Sequence, residues 1–156
     1  MAAANEACYG VVRRELRVLF GALCPGKSAD LALAGSKLED GLRLAVSNDP
    51  NCPAPDKSPE ELSGGQQALL GLALVLSLSS YRLPPLCLLD EVDAALDESN
   101  QVAAARLVAM VFRGTQALCV THHADFQRQS THSVAIAMQG ATSRVQQLAA
   151  SSGSSG

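Results

Sequence analysis

The chain has 156 residues and a formal net charge of −3, which fits one domain with a real core and argues against a strongly basic, free-standing nucleic-acid module. Apolar residues make up 47% and aromatics 3%, with no tryptophan, so the core must be built from Leu, Val and Ala, a composition that favours helices and parallel strands over an aromatic-rich sandwich. The five cysteines form no C-x-x-C pair and keep no regular spacing, as expected of reduced residues in an intracellular protein. There is neither a signal segment nor an uninterrupted apolar run of about 18 residues to suggest a membrane.

From Asn5 to Leu23, the apolar residues Val11, Val12, Leu16, Leu19, Phe20 and Leu23 recur at helical spacing, with Arg13, Arg14 and Arg17 among them. This predicts an amphipathic helix whose arginines form a solvated basic edge. The next stretch, Gly21–Ser28, spells the phosphate-loop pattern G-x-x-x-x-G-K-[ST] in full. A working phosphate loop leaves a strand and opens a helix, so that backbone amides converge on the anion. Here a helix runs in and the strand-like Ala29–Ala34 follows, so a helix C-terminal turn stopped by Pro25 and Gly26 is expected instead, with Lys27 as ordinary surface. Residues 29–34 and 41–47 alternate as an antiparallel pair, and residues 48–60, with four prolines, read as an exposed loop.

The loop ends at Leu62-Ser63-Gly64-Gly65-Gln66. Ser63 with Gln66 three residues on is a capping box, so a helix should start here and run through Leu78, buried because it is apolar on nearly every face. Gly64 and Gly65 leave two backbone N–H groups bare at its positive end, a ready place for phosphate. After Pro84-Pro85, Leu86–Leu89 reads as a central parallel strand ending at Asp90-Glu91. Asp97 caps a second helix, with Ala104, Leu107, Val108 and Val111 as its core stripe, and Gln116–Thr121 forms another strand ending at His122-His123. Cys87 and Cys119 are expected to be buried in these strands. A strand–helix–strand unit makes the strands parallel, so Asp90, Glu91 and His122 should meet at one crevice. Residues 133–137 and 142–147 read as a hairpin around Gly140, and 149–156 as a flexible, linker-like tail.

An apolar strand ending in Asp-Glu suits magnesium-nucleotide hydrolysis, with Asp90 in the Mg2+ shell and Glu91 orienting or deprotonating the attacking water. His122 can reach a γ-phosphate as a hydrogen-bond donor, with His123 a near-equal rival. Asp97 serves as helix N-cap and as a candidate contact across a nucleotide-bound interface.

Leu62–Gln66, Leu89–Asp97 and Val120-Thr121-His122 resemble, in order and spacing, the signature, Walker B, D-loop and switch segments of an ABC-type ATPase. Asp90–Asp97 is similar in particular to the C-terminal head lobe of a structural-maintenance-of-chromosomes (SMC) protein. Leu19–Gly26, Asp40–Leu44 and Gln66 look most like the second SMC subunit of condensin. The resemblance implies an α/β, P-loop NTPase-like head lobe over residues 1–148, with a parallel-strand core, flanking helices and a β-hairpin layer. Residues 5–23 would adjoin the coiled coil, and the N-terminal lobe bearing the true phosphate loop would be absent. It implies ATP and Mg2+, held by Asp90, Glu91 and His122 in one site, while Ser63, Gly64, Gly65 and Gln66 clamp ATP on an opposing head. The implied partners are the N-terminal lobe, a second SMC head as heterodimer, a kleisin, and DNA through the assembled complex. The implied role is chromosome condensation, in the nucleus if eukaryotic, with a cytoplasmic pool. Three alternatives stay open: a DNA-repair ATPase of the RecN or zinc-hook type, a small NTPase using Gly21–Ser28, and a scaffold lobe whose main task is kleisin binding.

Overall fold

The computed structural model describes residues 2–148; Met1 and the tail 149–156, expected to be flexible, lie outside the described residues. Helix α1 spans Ala2–Leu23. It starts ahead of the predicted Asn5 because the alanines before it are the best helix formers. Val12, Leu16, Leu19, Phe20 and Leu23 are all buried along one stripe, as their spacing requires.

A turn closed by the Lys27 N–H on the Cys24 carbonyl, with Gly26 at φ +87°, ends the helix. Strand β1 (Ser28–Leu33) follows and pairs antiparallel with β2 (Leu42–Ser47). Arg13 and Arg17 do not form the solvated edge that helical spacing suggested. Both reach over β1 and grip the buried Asp30 in paired hydrogen bonds of 2.7–3.0 Å. A helix pattern cannot reveal this, because the partner is on another element. The loop at 48–60 is largely exposed, as predicted, yet pinned: Pro55 is buried, Lys57 exchanges two backbone hydrogen bonds with Val46, and Arg17 donates to the Pro53 carbonyl.

Helix α2 (Gly64–Tyr81), strand β3 (Leu86–Asp90), helix α3 (Glu98–Val111) and strand β4 (Gln116–Val120) follow. β3 and β4 are parallel, Leu86 opposite Gln116 and Asp90 opposite Val120. A short helix, α4 (Ala124–Gln129), which periodicity does not predict, seats Phe126 in the core. β5 (Ser133–Gln139) and β6 (Thr142–Leu148) close the chain as an antiparallel hairpin, with Gly140 at φ +63°.

α1, α2 and α3 enclose a single apolar cluster that includes Leu16, Phe20, Leu69, Leu76, Ala104 and Val108. Two expectations of full burial fail together. β3 and β4 are covered on one face only, leaving Leu88 65% and Leu118 58% exposed and Cys87 and Cys119 half-buried; Val75 and Leu78 of α2 are also exposed. The apolar pattern of a layer buried on both sides is present, but the described residues supply a cover for one side. The described strands form three two-stranded sheets, the antiparallel β1–β2, the parallel β3–β4 and the antiparallel β5–β6, which are the three pairings expected, with the parallel part limited to two strands.

Candidate functional site

The N-terminus of α2 forms as its residues dictate. Ser63 Oγ accepts from the Gln66 N–H at 3.4 Å, and Gln66 Oε1 accepts from the Ser63 N–H at 3.2 Å. Since the first intrahelical bond is that of the Gln67 N–H to the Ser63 carbonyl, the Gly64 and Gly65 N–H groups carry the positive end of the helix dipole. Gly64 has nothing within 4 Å of where a Cβ would stand, and Ser63 and Gly64 are exposed, so an anion can approach. Gly65 is different: a Cβ there would sit 3.1 Å from the Ala95 carbonyl, so the motif packs directly on the turn after β3.

That turn begins at Asp90, exposed at the end of β3. Glu91 takes a left-handed φ of 47°, rare for a side chain of this kind, while its N–H stays bonded to the Val120 carbonyl at 2.9 Å. Such a conformation is held by its surroundings and is common where a side chain must be aimed. His122, at the matching end of β4, puts Nε2 3.3 Å from Glu91 Oε1, with 84% of its side chain exposed. The parallel pair thus brings Asp90, Glu91 and His122 to one edge across about thirty residues of sequence. His123 turns inward instead, its Nε2 3.2 Å from Gln101 Nε2.

Asp97 caps α3, accepting from the Asn100 N–H at 2.9 Å and the Ser99 hydroxyl at 2.8 Å. Those bonds hold its carboxyl below the usual range, so it stays charged at the helix N-terminus. Sequence reasoning passed over Asp93, which is 1% exposed and takes a hydrogen bond from the Thr121 hydroxyl. A buried acid in a turn leaves no periodic signal. Gly21–Ser28 builds no phosphate cradle: Gly21 lies inside α1, Lys27 Nζ binds the Asn48 side chain, and Ser28 opens β1 and donates to the Asp49 carbonyl.

The residues fit a magnesium nucleotide. One exposed carboxylate at a strand end suits Mg2+, which keeps most of its shell as water and substrate phosphate, and no cluster of three or more metal-ligating side chains occurs among the described residues. No helix among the described residues is long and apolar enough to cross a membrane.

Residues 52–144 match the family described as RecF/RecN/SMC N terminal domain. The chain belongs to this family. It is 34% identical over 131 residues to the chromosome partition protein Smc of Thauera aminoaromatica, covering 84% of this chain and 11% of that protein. It is 38% identical over 119 residues to structural maintenance of chromosomes protein 2 of Schizosaccharomyces pombe, covering 76% and 10%. The chain therefore spans about a tenth of the length of these relatives. Among solved structures, one from a study of ATP-driven dimerisation and DNA-stimulated activation of SMC ATPases superposes with a TM-score of 0.81 at 25% identity, covering 96% of this chain and 90% of that one. An SmcHead bound to the C-winged helix domain of ScpA superposes with a TM-score of 0.80 at 27% identity, covering 90% and 43%. The fold is that of an SMC ATPase head, mixed α and β.

Proposed function

We propose that this chain is the C-terminal lobe of an SMC head and becomes an ATPase when joined to an N-terminal lobe and an opposing head. The observation that carries the reading is the meeting of Glu91 and His122 at 3.3 Å, at the ends of parallel strands, beside Asp90. In the proposed mechanism Glu91, aimed by its left-handed backbone, takes a proton from the attacking water, and His122 donates a hydrogen bond to the terminal phosphate. Magnesium, bound through Asp90, would neutralise charge on the phosphates. The Ser63–Gln66 cap would present the Gly64 and Gly65 amides to ATP on the opposing head, with Asp97 at the same interface.

The proposed partners are the N-terminal lobe, a second SMC head as heterodimer, a kleisin, and DNA through the assembled complex. The SmcHead solved with ScpA supports the kleisin class of partner, and the β5–β6 hairpin offers an apolar face of Val134, Ile136, Met138 and Val145, each more than half exposed. The proposed role is chromosome organisation, in the manner of the second SMC subunit of condensin, at the chromosome of a nucleus if eukaryotic.

The test compares ATP turnover by the isolated chain, the assembled head pair and the pair carrying Glu91→Gln. The isolated chain is expected to be inactive. In the assembled pair, Glu91→Gln should lower turnover by about 10²- to 10⁴-fold while ATP-dependent association persists. Steady turnover by the isolated chain that disappears with Lys27→Ala would overturn the proposal and restore Gly21–Ser28 as a phosphate loop.

A further inference from the structure

Adjacent histidines, His122 and His123, are separated by the fold into an outward and an inward side chain. We infer that His123 and Gln101 are positioning residues that hold His122 against Glu91; the inference rests on the ATPase reading above. Gln101 is buried on α3, and its Nε2 donates to the Leu96 carbonyl at 2.8 Å. Because only the amide nitrogen can donate to a carbonyl, that bond fixes which way the amide faces. Its second hydrogen points at His123 Nε2, 3.2 Å away, so this ring nitrogen is the acceptor and the proton resides on Nδ1.

The backbone is held as well. The His123 N–H donates to Thr121 Oγ1 at 2.9 Å, and the Thr121 hydroxyl donates to the buried Asp93. The clasp ties together three segments: the turn after β3 through Asp93 and Leu96, α3 through Gln101, and the end of β4 through Thr121 and His123. His123 has extended backbone angles, φ −102° and ψ 131°. His122, the residue before it, lies in a bend that follows β4, so anchoring His123 inward fixes one side of that bend while the His122 side chain faces outward, to Glu91.

The clasp also has a second end. Leu96, which receives the Gln101 amide, is next to Ala95, whose carbonyl lies against Gly65 of the phosphate-facing cap. The turn from Asp93 to Asp97 therefore touches both the cap proposed to face the opposing head and the residue that orients His122. A shift of that turn would move His122 through Gln101 without any contact between the two sites.

The experiment uses the assembled head pair with its complete chains. His123→Leu should lower kcat about tenfold with KM for ATP unchanged, the pattern of a lost transition-state arrangement rather than lost binding. His123→Gln, whose side-chain oxygen can accept the same hydrogen, should recover most of that loss. Gln101→Leu should match His123→Leu, and the double variant should be no worse than either alone, because both remove one interaction. A purely structural role would appear as lost thermal stability with the kcat of the folded heads unchanged. Wild-type kcat in His123→Leu, or equal losses with leucine and glutamine, would overturn the inference. Glu91→Gln, assayed alongside, separates the two claims. If it abolishes turnover while His123→Leu keeps the wild-type kcat, the clasp alone fails; if it leaves turnover intact, the ATPase reading fails and takes the clasp with it.

Discussion

Asp30 shows how a single residue is decided by neighbours far away in sequence. Burial pushes its carboxyl up, but the hydrogen bonds from Arg13 and Arg17 outweigh that and hold it well below the usual carboxylate range. Since the folded value lies below the unfolded value of about 3.9, the stabilisation is complete at pH above that value and drains away as pH falls from about 4 towards the folded pKa. Asp30→Asn should lower the unfolding free energy by about 2 kcal/mol at neutral pH, less than the roughly 3–5 kcal/mol of a fully buried pair, because solvent reaches both arginines. It should also make stability less dependent on pH in the acid range. Matching urea midpoints at pH 7 for variant and parent would contradict this. Arg13 and Arg17 are spaced one turn apart on an amphipathic helix, a pattern equally compatible with solvent, so their role was not legible before β1 docked.

Among the elements, α2 was the most legible. Its start follows from Ser63 and Gln66, and its end runs past the predicted Leu78 to Tyr81, where the Ser79 and Ser80 hydroxyls donate back to the Val75 and Leu76 carbonyls shortly before Pro84. Ser63→Ala should cost about 1 kcal/mol of stability by freeing the Gln66 amide. In the assembled heads it should weaken ATP-dependent association by more than that stability loss predicts, as read by sedimentation with and without ATP. Association unchanged by the substitution would separate the cap from the head contact. Helix α4 was illegible for the opposite reason: six residues supply too few turns for periodicity, and the burial of Phe126 holds it.

Across the whole molecule, the decisive feature is the bare side of β3 and β4. Leu86, Leu88, Leu118 and Val120 form an exposed apolar face, and covering each of the two most exposed leucines would contribute about 1.5 kcal/mol or more. A face of this kind fits the proposed docking of the N-terminal lobe. Leu88→Lys should change the stability of the isolated chain by no more than about 0.5 kcal/mol, as surface substitutions do, yet abolish co-purification with that lobe. Intact co-purification would place the lobe elsewhere.

By itself, the amino-acid sequence determined the order and type of the long elements, the capped glycine pair, the acidic strand end and the direction of β3 and β4, because these depend on local periodicity, capping and chain order. Tertiary structure alone decided which apolar faces are covered, which arginines are ion-paired and which of two adjacent histidines turns towards Glu91. Those outcomes depend on partners brought from distant segments, and neither hydropathy nor spacing encodes the identity of a partner.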